Sequence, residues 1–283
     1  MSNDLPAIIE LIKLAVGEDL GDGDHTSLAT IPESMKGKAH LLVKEEGVVA
    51  GIQIAKLVFQ TVDPSIGFRT FIDDGSRVFR GDIVFEVDGP VVSILSAERL
   101  ALNYLQRMSG IATQTNQMVS LLAGLKTRLL DTRKTTPNMR PFEKLAVRLG
   151  GGYNHRFGLF DMILIKNNHI DFAGGICQAI QSANDYLKQT GKRLQIEIEV
   201  RNFDELKEVI ETGHINRIML DNFTPSDLKK AVELIDGRYE TEASGGITRD
   251  RLREFAETGV DFISVGALTH QIMSVDMSLR AVT

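Results

Sequence analysis

Leu5, Ile8, Ile9, Ile12 and Val16 recur at helical spacing, so the chain is expected to open on an amphipathic helix. Residues 38–95 change rhythm. Short strand-like runs (AHLLVKEEGVVAG, FRTFIDDGSRV, GDIVFEVDG and VVSILS) are separated by turn signals at Asp74-Gly75 and Asp88-Gly89, with a short helix over Ile54–Val62. This pattern predicts an α+β block built on an antiparallel sheet. A long helical pattern follows over Ala97–Leu122, with Leu100, Leu102, Leu105, Met108 and Ile111 apolar. Gly110 is read there as a break that marks the domain boundary.

Beyond about residue 125 the pattern repeats as strand, loop, helix. Strands are expected at Arg128–Leu130, Met162–Ile165, Gln195–Val200, Arg217–Leu220, Tyr239–Ala243 and Phe262–Val265. Between them, helices are expected at Pro141–Leu149, Gly175–Gln189, Phe203–Glu211, Pro225–Ile235 and Arg249–Glu257. Thr224-Pro225 and Thr248 are start signals, and Gly191, Gly213 and Gly259 are stops. Strands alternating with helices of this length imply parallel pairing through βαβ crossovers. Six or seven such units imply a closed or nearly closed barrel. A doubly wound open sheet is the alternative, but no GxGxxG follows a first strand.

Composition narrows the class. A hydrophobic content of 43% and a charged content of 25% are those of an ordinary globular protein. No apolar run approaches the roughly 18 residues of a membrane-spanning helix. The N-terminus does not read as a secretory signal, because Glu10 and Lys13 interrupt its apolar run. The single cysteine, Cys177, excludes an intramolecular disulfide and fits a cytoplasmic location; it is read as a packing residue.

Charge is unevenly placed. The net charge is -6, yet the 39 residues from Asp131 to His169 hold seven Lys or Arg and three acidic residues. An acidic chain lacks the basic face that nucleic acid or a membrane surface demands. Cations gathered at strand ends and beside glycines point instead to a small polyanionic substrate.

Active sites of parallel α/β barrels form at the carboxyl ends of the strands. The expected strands end in Asp131-Thr132-Arg133-Lys134, Lys166-Asn167-Asn168-His169, Glu199-Val200-Arg201, Asp221-Asn222, Ser244-Gly245-Gly246 and Gly266-Ala267. One polar ending is commonly just a turn or a cap; six in register describe a site. The last two endings read as glycine turns that feed helix N-termini, where backbone N–H groups bind phosphate. One side of the site is therefore cationic, with Arg133, Lys134, His155, Arg156 and Lys166. The other carries Glu199 and Asp221, and carboxylates beside phosphate usually hold Mg2+ or sugar hydroxyls. No HExxH or CxxC pattern supports zinc. Lys166 at a strand end could also serve a Schiff-base lyase.

The segments EDLGDGDHTS, SAERLALNYLQRMSGIAT, DTRKTTP, GGGYNHRFGL, MILIKNNHI, IEIEV, IMLDN, SGGI and VGALTH, in this order, resemble the type II quinolinate phosphoribosyltransferases. DTRKTTP together with GGGYNHRFGL is the specific part; SGGI alone would not be. The resemblance implies an N-terminal α+β sandwich domain (1–109, with a tail at 271–283 that packs back on it) and a parallel, open or incomplete α/β barrel (110–270). It implies phosphoribosyl transfer from phosphoribosyl pyrophosphate to quinolinate with decarboxylation, Mg2+ as cofactor, and a homodimer. Position by position, Arg133, His155, Arg156 and Lys166 would bind quinolinate, and Arg99 would reach the neighbouring subunit's site. Lys134 and Lys166 would stand at the reacting centre, with Glu199 and Asp221 at the ribose and Mg2+. Ser244, Gly245, Gly246, Gly266 and Ala267 would form the phosphate turns. A phosphoribosyltransferase acting on nicotinate or another acceptor, and a non-catalytic binder of phosphorylated ligands, remain as alternatives.

Overall fold

The computed structural model of the chain describes residues 5–282, so the outermost residues of the expected domains, 1–4 and 283, lie outside it. In chain order, α1 (Leu5–Leu20), α2 (His25–Thr30), β1 (Lys36–Val43), β2 (Gly47–Val48), α3 (Ile52–Val62), β3 (Gly67–Thr70), β4 (Arg77–Val78), β5 (Ile83–Pro90) and α4 (Val91–Ser120) come first. Then follow β6 (Arg128–Leu130), α5 (Arg140–Leu149), β7 (Ile163–Ile165), α6 (Asn167–Ala173), α7 (Ile176–Thr190), β8 (Ile196–Val200), α8 (Phe203–Thr212), β9 (Arg217–Asp221) and α9 (Pro225–Ile235). The chain ends with β10 (Glu240–Ser244), a 3-10 turn at Arg249–Arg251, α10 (Leu252–Ala256), β11 (Phe262–Ser264), α11 (Ala267–His270) and β12 (Met277–Ala281). Two compact units divide these elements: Met1–Asn116 with Thr135–Gly151 and Leu268–Thr283, and Gln117–Lys134 with Gly152–Ala267. The expected division at 109/110 thus differs from the contact units, which cut after Asn116 and give α5 to the first. No described helix is long and apolar enough to cross a membrane.

In the first unit, a four-stranded antiparallel sheet runs β12-β1-β5-β3, beside the small β2-β4 pair. The C-terminal strand pairs with β1 from Ala39↔Ala281 to Val43↔Met277. Alternation on β1 buries Ala39, Leu41 and Val43 toward a core shared with Ile8, Ile12, Val58, Phe59 and Phe85. The Phe68 and Phe85 rings meet there at 4.4 Å between centroids.

Three expectations fail in this unit. VVSILS opens α4 and forms no strand. Its β-branched residues favour a strand, but Ile94, Ala97, Ala101, Leu105 and Met108 recur at helical spacing and are all buried, and burial outweighs propensity. Gly110 does not interrupt α4; it lies within the continuous helix. A Cβ there would collide with the Met273 carbonyl, so the glycine serves close approach and no break. Asp88-Gly89 is no turn either: both lie in β5, opposite Lys38 and Gly37 on one side, with Asp88 opposite Gly67 on the other. A Cβ at Gly67 would meet the Asp88 side chain, so the bare position makes room for the acidic residue within the sheet.

In the second unit, six parallel strands run β6-β11-β10-β9-β8-β7. A single bridge from Leu130 to Tyr153 continues the β6 edge. The sheet is open, with β6 and β7 at its two ends, as the incomplete-barrel reading anticipated. Asn202 caps α8 through Asp204 and Glu205 N–H, and Thr224 caps α9 through Asp227 N–H. Gly191 closes α7 in the left-handed conformation, φ 67°. Cys177 corrects its packing assignment: α7 buries Ile176, Ala179 and Ile180, and Cys177 falls off that face and is exposed.

Register explains how this sheet makes a site. Ile196, Ile198 and Val200 of β8 are buried on one face, and the opposite face carries Glu197 and Glu199. Glu197 stands level with Arg217, and Arg217 with Glu240. One step up, Glu199 stands level with Met219, Met219 with Glu242, and Glu242 with Phe262. Asp221 stands level with Ser244 at the rim. One face of the sheet is therefore mostly apolar, with Thr241 level with Ile218 as a polar exception, and the other holds most of the charge.

Candidate active site

Asp131, the first residue past β6, is fully buried and organises the cationic side. Its carboxylate accepts from Asn154 Nδ2 at 2.6 Å and from the His155 backbone N–H at 2.8 Å. The loop after α5 is thereby tied to the end of β6, and this brings Arg156 to Arg133. Both arginines are half-buried. Burial lowers the Arg156 pKa, and the Arg133 charge lowers it further. Arg156 Nη1 donates to the Met162 carbonyl at 3.3 Å. Arg133 Nε is buried without a hydrogen-bond partner among the described residues. Two like charges held together, one with an unused buried donor, form a receptor for an anion.

The acidic side forms on the neighbouring strand ends. Lys166 caps α6, and its Nζ lies 3.8 Å from Glu199 Oε2. Asn167 Nδ2 donates to Glu199 Oε1 at 2.8 Å. Burial raises the Glu199 pKa, the Asp221 charge raises it further, and Lys166 opposes. Burial also raises that of Asp221, against a hydrogen bond from Asn222 and the charges of Lys166 and Lys134. Lys134, Lys166, Glu199 and Asp221 thus share one electrostatic neighbourhood. Lys166 is about half exposed and paired, whereas a Schiff-base lysine needs a desolvated amine.

The phosphate turns differ from expectation in one respect. Gly266-Ala267 leads directly into α11. Ser244-Gly245-Gly246 does not feed a helix: Ile247 and Thr248 intervene, and only the 3-10 turn at Arg249–Arg251 follows. Gly245 and Gly246 are both left-handed, φ 99° and 58°, so the turn itself orients the backbone N–H groups. A side chain at Gly245 would strike Asn222. Ser264 Oγ bonds Ser244 Oγ at 3.2 Å beneath the turn.

Below this rim lies a charged layer that sequence reasoning missed: Glu197, Arg217 and Glu242. The Glu197 and Glu242 side chains are fully buried, and that of His155 is 6% exposed. His155 Nε2 lies 2.9 Å from Glu197 Oε2 and 3.4 Å from Glu242 Oε2. Neither oxygen is in line with the ring N–H, so the contact is shared and electrostatic. Arg217 Nη1 donates to Glu242 at 3.2 Å and Nη2 to Glu240 at 2.9 Å, with the guanidinium stacked 4.0 Å from the Phe262 centroid.

Burial opposes charge on His155, but the two carboxylates outweigh it and push its pKa up to about 9. Against that, the Arg156 N–H points at Nδ1 from 2.7 Å and requires a lone pair there. A backbone amide can only donate, so this contact decides for the Nε2–H tautomer. Burial and the Glu242 charge in turn push the Glu197 pKa up to about 7, so His155 and the two carboxylates titrate together. His155, Glu197 and Glu242 have the donor types of a metal site, within 4.8 Å of one another. Arg217, however, already supplies the cation.

Apart from Arg99, the structure brings the expected residues to the carboxyl ends of the six strands or the adjoining loops. Arg99 lies exposed on α4, in the first unit.

Known proteins agree with this architecture. Sequence models of the quinolinate phosphoribosyl transferase N-terminal and C-terminal domains match residues 24–109 and 111–280. The chain is 45% identical over 286 residues to a decarboxylating quinolinate phosphoribosyltransferase of Nicotiana tabacum, covering 96% of this chain and 81% of that one. NadC from Streptococcus pyogenes superposes with a TM-score of 0.92 at 39% identity, covering 98% of both chains. The nicotinate-nucleotide pyrophosphorylase from Francisella tularensis superposes at 0.91 with 41% identity, covering 97% of this chain and 96% of that one. With strand ends, domains and full-length similarity in accord, the chain belongs to the quinolinate phosphoribosyltransferase family.

Proposed function

We propose how this chain carries out the reaction named for its relatives: phosphoribosyl transfer from phosphoribosyl pyrophosphate to quinolinate, with decarboxylation to nicotinate mononucleotide in NAD biosynthesis. The observation that carries the acceptor assignment is the Arg133–Arg156 pair with its unused buried donor. Quinolinate brings two adjacent ring carboxylates, and two arginines satisfy them where one would not. Lys166 and Lys134 extend the cationic surface toward Asp221. Ser244, Gly245, Gly246, Gly266 and Ala267 offer backbone N–H groups to the donor's phosphate.

The chemistry follows from charge. The pyridine nitrogen attacks C1 of the ribose as the C1–O bond to pyrophosphate breaks. Glu199 and Asp221 stabilise positive character at C1, and Lys134 and Lys166 offset the departing charge. The nitrogen becomes a pyridinium. The bond from C2 to its carboxylate then breaks, CO2 leaves, and the electron pair stays at C2 until a proton from water replaces the carboxylate. No covalent enzyme intermediate is required, and positioning supplies much of the barrier reduction.

Mg2+ fits the acidic side. Glu199 and Asp221 are hard oxygen ligands, and the buried Asn167 Oδ1 has no hydrogen-bond partner among the described residues. These three residues would hold the ion, which when bound would neutralise pyrophosphate.

Arg99 is assigned to a partner's site, in a homodimer. Its exposure on α4 and the family resemblance support this. Mixing Arg99→Ala with Lys166→Ala under subunit exchange should restore about a quarter of the activity, because half the dimers carry one intact site of two. Verified exchange without recovery refutes the shared site. A cytoplasmic location is proposed on the single cysteine, and fractionation of source cells checks it. For the reaction itself, mononucleotide formation is measured with quinolinate and with nicotinate. Turnover of quinolinate alone supports the assignment, and preference for nicotinate overturns it.

A further inference from the structure

The buried layer under the rim has no explanation in the reaction described so far. Two carboxylates and a guanidinium at inward positions do not improve stability over well-packed apolar residues. Glu197 Oε1 and Glu242 Oε1 are buried with no hydrogen-bond partner among the described residues, so the layer is not built to satisfy itself. What the two carboxylates share is the imidazole of His155, gripped from β8 and from β10 at 2.9 and 3.4 Å.

The opposite side of that ring meets the backbone of the next residue. Nδ1 accepts the Arg156 backbone N–H at 2.7 Å. Rotating the ring would lose this bond and the carboxylate contacts together. Asp131 holds the same loop one residue earlier, through the His155 N–H. The His155 ring thus holds the Arg156 backbone N–H, and Asp131 holds that of His155.

We propose that Glu197 and Glu242, the latter held by Arg217, are positioning residues for the acceptor pocket: they orient His155 from beneath, and His155 sets the backbone of Arg156, which faces the substrate carboxylates. This rests on the acceptor assignment above. The same contacts make His155 itself an anchor whose ring nitrogens both face protein groups. The layer is distinct from the carboxylates of the donor side, Glu199 and Asp221, which stand at the rim.

The test compares Glu197→Leu with Glu197→Gln in the full-length enzyme. Leu removes the acceptor under Nε2, whereas Gln keeps an oxygen there. Glu197→Leu should raise KM for quinolinate roughly tenfold, because the ring keeps only one of the two carboxylates that hold it. The KM for phosphoribosyl pyrophosphate should hold within a factor of about two, and the melting temperature should not fall. Glu197→Gln should recover most of the quinolinate affinity. Nitrogen-15 spectra of the histidine rings should show the Nε2–H tautomer at His155 in the wild type and in Glu197→Gln, with a loss or mixture in Glu197→Leu.

An unchanged quinolinate KM in folded Glu197→Leu overturns the proposal. So does a parallel rise of both KM values with a lower melting temperature, which marks a merely structural layer. If the Leu variant does not fold, the ring spectrum of the wild type and the KM split of Glu242→Gln decide in its place. An Nδ1–H tautomer in the wild type, or equal KM changes for the two substrates in Glu242→Gln, is then fatal. Absence of quinolinate turnover in the wild type instead defeats the functional assignment, so the two failures are separable.

Discussion

Glu197 and Glu199 lie two residues apart on the same face of β8, yet their surroundings differ. The Glu199 side chain is 11% exposed, meets Lys166 and Asn167 at the rim, and shares its field with Asp221. The Glu197 side chain is fully buried and meets His155, with Arg217 and Glu242 around it. A single strand thus carries a carboxylate open to substrate and another closed off beneath it. The difference teaches that the polar interior of this sheet is two layers with two duties. The rim is partly exposed and can bind; the lower layer is closed off from substrate and can only hold. Each layer should therefore fail in its own way when it is broken.

The largest effect is expected from Arg217→Met. This leaves Glu242 buried without its guanidinium and should cost about 3–5 kcal/mol of stability in a urea titration. Adding Glu242→Leu should return much of that loss, because the stranded charge goes with it. A stable single variant would mean that the lower layer is already neutral and needs no cation.

Next comes the rim. Arg133→Ala should reduce kcat/KM for quinolinate by roughly 30- to 1,000-fold, equivalent to about 2–4 kcal/mol. Stability should hold or improve, because Arg156 then loses a like charge. Near-normal turnover, or a collapse of the fold, would erase the distinction between the layers.

The expected residues were legible because strand ends announce themselves. DTRK, KNNH and LDN each follow an apolar run, and parallel strands put such endings on one edge. The lower layer was not legible for a physical reason. In IEIEV and TEAS the alternation of apolar and polar residues reads as a half-buried strand with its acids toward water. Here the apolar face is buried and the acids point inward as well. One signal was available: parallel sheets are covered on both faces, so a charge in mid-strand must be buried and partnered. Applied to Glu197, Arg217 and Glu242, that rule would have found the layer. VVSILS failed differently, since β-branched residues can open a helix when their spacing serves a core. Gly110 was misread because a glycine needed for contact with Met273 looks the same in sequence as a helix breaker.

A smaller effect is expected from Glu199→Gln. It keeps the Asn167 contact but removes the charge facing Lys166 and Asp221. Use of phosphoribosyl pyrophosphate should fall about tenfold, or about 1.4 kcal/mol. Quinolinate binding and thermal stability should change little. Separate titrations of the two substrates measure this, and a selective loss of quinolinate affinity would place Glu199 with the wrong layer.

The smallest effect belongs to the residue that joins the layers. Ser264 is buried, bonds Ser244 at the rim through its hydroxyl, and holds down the Glu242 pKa as a minor partner behind His155. If the layers act independently, Ser264→Ala should register as two small and separate losses. Stability should fall by about 0.5–1.5 kcal/mol, a shift of a few degrees in melting temperature for a chain of this size. The KM for phosphoribosyl pyrophosphate should rise less than about threefold, because Gly245 and Gly246 retain their own backbone geometry. The KM for quinolinate should not move, since Glu197 and Glu242 still grip His155. A large change in quinolinate affinity from this one hydroxyl would mean that rim and lower layer form one cooperative network, and the separation of duties along β8 would fall with it.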